Sequence, residues 1–466
     1  MNKATPLLVA MLLAGCTVGP AYERPAVELP AAWKESAPPY LANAASDGRW
    51  WRIYGDAQLD GLVDEALAKN QDLALAVARV DEARGLAGEV ESGLFPAVSA
   101  SGSAARQRVS TRTASFPPGG VIPSEFSDYR ATLNVSYELD FFGRIRSSAQ
   151  AARFEVEASE AARDTVRLAL AAQVAKAYFT LRALDEQIGL TRKTVELREE
   201  ALRLQRKRTE AGLIGDFELR QLEAEAAGVR AQLPPLERDY ETQQAALGVL
   251  LGRTPREVFE NSVPVKVAEG EKPGPLVVPS GMPSELLLRR PDLVEAERHL
   301  AAGNARIAAA RAELFPSIVL TGALGSESAQ LSNLFTGGAG LWSLGLALTQ
   351  PIFQGGRLQA RTAQTEARER QLLAQYQKAI QTAFSETRAA LAAQARARES
   401  YDAESARATA LGEAARLARL RYQNGIASQL DVIDAERGLL AAQSGRIEAL
   451  RAYRAAIADL FRALGG

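Results

Sequence analysis

Cys16 is the only cysteine in the 466-residue chain and His299 the only histidine. Within one chain they exclude a disulfide framework and a zinc cluster, and Cys16 is left with a different chemistry. It closes the string Leu13-Ala14-Gly15-Cys16, after a positive start at Lys3 and an apolar run over residues 6–13. That is the pattern of an export signal ending in small residues, and the run is too short to span a bilayer, which takes about 20 apolar residues. The string resembles a bacterial lipobox, in which the cysteine sulfur takes a diacylglycerol and, after cleavage, the new amino terminus is acylated. Several chains on one residue make a durable anchor where one chain binds only reversibly. The plainer alternative is a lone cysteine within an ordinary cleaved signal, but its place directly after Gly15 is where lipid processing requires it.

Charge is the second resource. Asp431 and Asp434, three residues apart, share a helix face. Clustered carboxylates repel one another and need packing or cations to hold them. Ser428 and Asp431 equally fit a capping box, a purely structural use. His299 lies on the polar side of a helix and reads as a surface residue rather than a ligand. No nucleophile, base and oxyanion arrangement recurs at a usable spacing, so no enzyme and no cofactor is expected. The net charge of −1 gives no general attraction to nucleic acid.

An internal repeat organises the elements that must position these groups. Asp72-Leu73 recurs as Asp292-Leu293, and Leu94-Phe95-Pro96 as Leu314-Phe315-Pro316. Phe142-Gly143-Arg144 recurs as Gly355-Gly356-Arg357, and Arg208 with Gly212 as Arg421 with Gly425. The slightly smaller later offset places the length difference in the loop at 106–127, longer than its counterpart at 326–340. Each half reads as short helix, strand, loop, strand, long helix, turn, long helix. Residues 253–283 form a Pro-rich connector with neither helical nor strand periodicity. The divisions are a signal at 1–15, a lipidated extended segment at 16–57, a first repeat at 58–252, the connector, and a second repeat at 284–466.

The strands are expected to have one greasy and one wet face. Over 129–140, Tyr129, Ala131, Leu133, Val135, Tyr137 and Leu139 alternate with Arg130, Thr132, Asn134, Ser136, Glu138 and Asp140. Trp342, Leu344, Leu346, Leu348 and Ile352 repeat the pattern, and 97–104 and 317–324 repeat it more weakly. A soluble antiparallel sheet with one wet face gives the same alternation. The lipobox, aromatic residues near strand ends (Phe95, Tyr129, Phe141, Phe142, Phe315, Trp342) and the lack of a long apolar helix favour a membrane sheet instead. Arg130, Thr132, Asn134, Ser136 and Glu138 then face a barrel lumen. Four strands leave open edges that hydrocarbon penalises by several kcal/mol per unpaired group, so closure needs further copies. Three copies give twelve strands, the smallest arrangement with an aqueous bore.

Residues 144–211 and 357–424 contain no proline and almost no glycine, and are rich in helix formers. Each would extend roughly 100 Å at about 1.5 Å per residue. Turns at 212–216 and 424–428 reverse them into antiparallel partners, and Pro234-Pro235 should interrupt the first return helix. Such hairpins also serve as coiled-coil spacers. Attached to membrane strands in the same repeat, they fit a helical tube better.

The order and spacing of several strings carry a resemblance over essentially the whole mature chain. They are Cys16-Thr17-Val18-Gly19-Pro20-Ala21-Tyr22 with Pro25, Trp50-Trp51, Tyr54-Gly55-Asp56, Arg289-Arg290-Pro291-Asp292, both Leu-Phe-Pro strand entries, and Pro351-Ile352-Phe353 before Gly355-Gly356-Arg357. The chain resembles the outer-membrane factors, most closely the TolC-like efflux lipoproteins of resistance-nodulation-division pumps. The resemblance implies a homotrimer with a twelve-stranded barrel in outer-membrane lipid, a periplasmic helical tunnel and an equatorial belt. It implies a periplasmic adaptor (membrane fusion) protein and an inner-membrane proton-driven pump as partners, and small solutes as cargo. Thr17 after the cysteine fits outer-membrane sorting. By the same resemblance Tyr422, Asp431 and Asp434 line the periplasmic aperture, and the turns bearing Arg208, Gly212, Asp216, Arg421, Gly425 and Ser428 dock the adaptor. Ala427 stands where relatives carry a basic residue that pairs with the tyrosine, and Arg421 is a candidate substitute. The equivalent first-half positions, Glu218 and Gln221, are less acidic. The alternatives are an exit duct for protein secretion and a lipid-tethered scaffold without a pore.

Overall fold

The computed structural model describes residues 19, 21–26, 48–110, 125–213, 215–260, 263 and 290–466. The signal, Cys16 and most of the connector lie outside the described residues. A 3-10 turn at Trp50–Tyr54 precedes α1 (Ala57–Lys69) and α2 (Gln71–Ser92), then β1 (Ala97–Arg108), β2 (Glu125–Glu138) and α3 (Arg144–Glu210). There follow α4 (Asp216–Arg230), α5 (Leu233–Leu250), the short α6 (Pro255–Glu260), α7 (Pro291–Ala312), β3 (Ser317–Ser328), β4 (Gly340–Thr349), α8 (Arg357–Gln423) and α9 (Gln429–Leu464). The repeated order is as the sequence indicates, and α3 and α8 are each 67 residues long. Pro234 and Pro235 open α5 in its first turn, where the missing amide costs nothing, so the first return helix is split into α4 and α5.

Three local details differ from the sequence reading. The turn at Trp50–Tyr54 falls within the segment expected to be extended. The connector begins with α6, whose start is a capping box: Thr254 and Glu257 exchange hydrogen bonds at 2.9–3.3 Å. The strand expected over 129–140 ends at Glu138, because Asp140 turns to cap α3, its carboxylate accepting from the Ile145 and Arg146 amides at 3.1 and 2.8 Å.

The chain divides into two compact units, described separately. One comprises Met1–Ala26, Arg79–Ser159 and Glu295–Gln377. Among the described residues it holds one antiparallel sheet in the order β1-β2-β3-β4, with β1 and β4 as its edges. Register places Val98 opposite Val135, Leu133 opposite Leu324, and Leu324 opposite Trp342. One face is therefore apolar across all four strands up to the level of Tyr129, and Arg106, Arg108 and Glu125 lie on it beyond, at the loop end.

The other unit comprises Val27–Ala78, Glu160–Val294 and Lys378–Gly466. Its core gathers Trp50, Leu59, Val63, Tyr178, Leu181, Leu247, Ile457 and Phe461. Trp50 stacks on Phe461 with ring centroids 5.3 Å apart. Asp56 caps α1 and also accepts from the Tyr178 hydroxyl at 2.6 Å and from Arg182 at 2.9 Å, tying α1 to α3. Arg290 is buried and pairs with Asp292 and Glu386, each at 2.8 Å. It also donates to the Ala463 carbonyl at 2.8 Å, so a cation satisfies the last turn of α9.

Candidate functional site: strand faces and helical tips

The sheet supplies the first set of functional side chains. Its four strands have 12, 14, 12 and 10 residues, about the length a tilted membrane strand needs. The apolar face is open: Trp342 is 78% exposed, Leu344 73%, Leu346 68% and Val98 66%. Four strands of bare leucine, valine and tryptophan in water would be a large exposed patch, which marks a surface meant for another apolar phase or partner.

The opposite face carries all five expected lumen residues. Thr132 lies across from Ser101 and Asn134 across from Ser99. Thr132 and Ser101 hydroxyls are 2.9 Å apart, and the Asn134 amide donates to Ser101 at 3.0 Å. Arg130 pairs with Glu327 on β3 at 2.6 Å. Ser136 faces Thr321, and Glu138 accepts a two-pronged contact from Arg144 at 3.1 and 2.7 Å. The partners Glu327 and Arg144 are not evident from alternation alone, because cross-strand register and the strand-to-helix turn bring them in. The turn region that follows Glu138 lines a half-open cavity of about 350 Å³, edged by the stacked Phe142 and Phe315 rings.

The helical tips form the second set. Leu213 and Gly212 amides bond to the Arg208 and Thr209 carbonyls, and Ile426 and Gly425 amides to the Arg421 and Tyr422 carbonyls, all at 2.9 Å. Both turns are thus the same Schellman closure, and Gly212 (φ 70°) and Gly425 (φ 73°) supply the left-handed residue it requires. Arg208 and Arg421 occupy equivalent places in the two copies. Leu213 and Ile426, which would normally fold back on their helices, are 72% and 68% exposed. Asp216 opens α4.

Ser428 caps α9: the Asp431 amide donates to its hydroxyl at 3.2 Å, while the Ser428 amide and hydroxyl donate to the Asp431 carboxylate at 2.8 Å. These bonds hold the Asp431 pKa below the usual carboxylate value, with the Arg421 charge acting in the same sense. Asp434 is exposed, with Arg437 3.4 Å away. The Tyr422 hydroxyl accepts from Arg208 at 3.1 Å and from Gln205 at 3.4 Å. The cation on the phenol therefore comes from the first repeat, while the Arg421 charge acts on Asp431. Sequence reading also passes over Glu436, which accepts from Arg198 of α3 at 2.5 Å and Arg419 of α8 at 2.6 Å. Its one legible trace is Arg198 and Gln205, polar residues seven apart at buried positions of α3.

Cys16 lies outside the described residues. Of the nearest described ones, Gly19 packs against Ala308 of α7, and Arg24 pairs with Glu297 at 2.5 Å. Among the described residues no helix is long and apolar enough to cross a membrane.

Two strands followed by a long helical hairpin, twice over, with a sheet polar on one face and apolar on the other, is the element order of an outer-membrane channel. The chain belongs to the outer membrane efflux protein family, whose pattern matches residues 62–253 and 282–466. It is 36% identical over 467 residues to the toluene efflux pump outer membrane protein TtgC of Pseudomonas putida, covering 98% of this chain and 94% of that one. It is 32% identical to the probable outer membrane lipoprotein SilC of Salmonella typhimurium, covering 100% and 98%. The CmeC outer membrane channel of Campylobacter jejuni shares its fold with a TM-score of 0.87 at 27% identity, covering 97% and 95%. The protein is an outer-membrane channel component of an efflux system.

Proposed function

We propose that three copies of this chain close a twelve-stranded barrel, that Cys16 anchors each copy by lipid, and that the duct passes small solutes without chemistry. The carrying observation is the sheet: one face is apolar and bare, the other polar, and β1 and β4 are both edges. In hydrocarbon an unpaired edge is untenable, so β4 of one copy must meet β1 of another. Eight strands from two copies would fill their own interior, and twelve leave a bore.

The anchor reading rests on the lipobox and on the strap that follows it. Gly19 packs on Ala308, nine residues before β3 begins at Ser317. Three further residues reach at most about 10 Å, so lipid on Cys16 would enter the membrane near the strand entries. The exposed Leu213 and Ile426, each beside an arginine-bearing helix end, are suited to docking a periplasmic adaptor that links the duct to an inner-membrane pump. Asp431, Asp434 and Tyr422 are assigned to the aperture at that end. Cargo is set by the pump, because the duct need only admit what is delivered.

Planar-bilayer recording on the purified mature protein tests the duct. Discrete conductance steps, with crosslinking that stops at three copies, are expected. A protein that inserts without any conductance is a tethered scaffold.

A further inference from the structure

Arg130 and Glu327 are directly opposed across β2 and β3, on the face that also carries Ser99, Ser101, Thr132, Asn134 and Thr321. The guanidinium donates to the carboxylate at 2.6 Å. Elsewhere on that face of the described strands, the charged groups are Asp128, one step nearer the loop end of β2, and Glu138, which Arg144 already holds. The intervening hydroxyls and amide bond to one another. The wall between the two ends is therefore close to neutral, and its neutrality at the Arg130 level depends on one pair.

Stability does not account for that pair. Its side chains are 48% and 41% exposed, and a wetted cross-strand ion pair contributes little to folding because solvent screens it. Loss of either partner would act on passing ions more strongly, because a threefold bore would bring three uncancelled charges to one level, on the scale of the screening length of about 10 Å at 0.1 M salt. We infer that the Arg130–Glu327 pair keeps the barrel bore from discriminating between cations and anions at that level, each partner cancelling the other's field along the solute path. This rests on the reading above that the polar face lines a bore closed by three copies.

The test is the potassium-to-chloride permeability ratio of the full-length channel, taken from reversal potentials in a dilute salt gradient. Glu327→Gln removes one negative charge per copy from the Arg130 level and lowers the ratio by about two-fold or more; Arg130→Gln leaves the Glu327 carboxylate unpaired beside Asp128 and raises it comparably. The double variant returns to the wild-type ratio. Opposite signs and their cancellation are not produced by a merely structural defect. Where a variant gives no channels, Glu327→Cys is modified in the bilayer, and an anionic thiol reagent restores the wild-type ratio while a cationic one lowers it further. Conducting channels whose ratio ignores all these changes overturn the inference but leave the duct intact. Absence of conductance in the wild type instead removes the duct reading beneath it.

Discussion

His299 shows how a residue's neighbours change its chemistry. Its Nδ1 lies 2.9 Å from Glu155 of α3 and its Nε2 3.9 Å from Glu295 on its own helix. Arg306 pairs with the same Glu155 at 2.7 Å. The Glu155 and Glu295 contacts push the imidazole pKa from 6.5 up to about 9, so it is a cation at neutral pH. Because the folded value is raised, the stabilisation is fully present below about pH 6.5 and is lost as pH rises through about 9. Wild type should melt higher than His299→Gln near neutrality, and the gap should close by about pH 10. A gap that is constant over that range would mean the ring contributes packing alone. Sequence reading placed His299 on a polar helix face and could go no further, because Glu155 lies 144 positions away and only the packing of α7 on α3 brings it near.

At the scale of the element, the hairpin tips divide their acidic residues by task. Asp431 is engaged in the α9 cap, and Asp434 is exposed beside Arg437, which also pairs with Glu225. Losing a cap costs about 1 kcal/mol of helix-end stability. Asp431→Ala alone should therefore speed amide exchange at the start of α9. The double change Asp431→Ala with Asp434→Ala should raise conductance and weaken block by divalent cations. Unchanged single-channel behaviour in the double variant would remove both from the aperture and leave Asp431 as a cap. The two turns were legible as Gly-containing reversals because only a left-handed residue closes a helix that way. The hold on Tyr422 was not legible: Arg208 and Gln205 reach it from the other repeat, 214 and 217 positions away.

For the whole molecule, function depends on a surface that a single copy does not satisfy. The apolar sheet face and the two strand edges need lipid and neighbours, and the anchor would hold each copy at the membrane while they assemble. Cys16→Ser should abolish incorporation of labelled palmitate and reduce the share of protein recovered with outer membranes. Retention of the label would place the lipid elsewhere or make the cysteine incidental.

Periodicity in the chain itself determined the two repeats, the four alternating strands, the 67-residue helices and the split at Pro234, because these are local responses of backbone and solvent to residue type. The shared polar face of Arg130, Thr132, Asn134, Ser136 and Glu138 follows from the same period of two. Tertiary structure decided the pairings: Glu327 on Arg130, Arg208 on Tyr422, Glu436 between Arg198 and Arg419, and Arg290 on the end of α9. It also decided that Asp140 would leave its strand to cap a helix. Such contacts depend on register and helix packing across long chain separations, and alternation along one segment carries no information about which partner arrives from another.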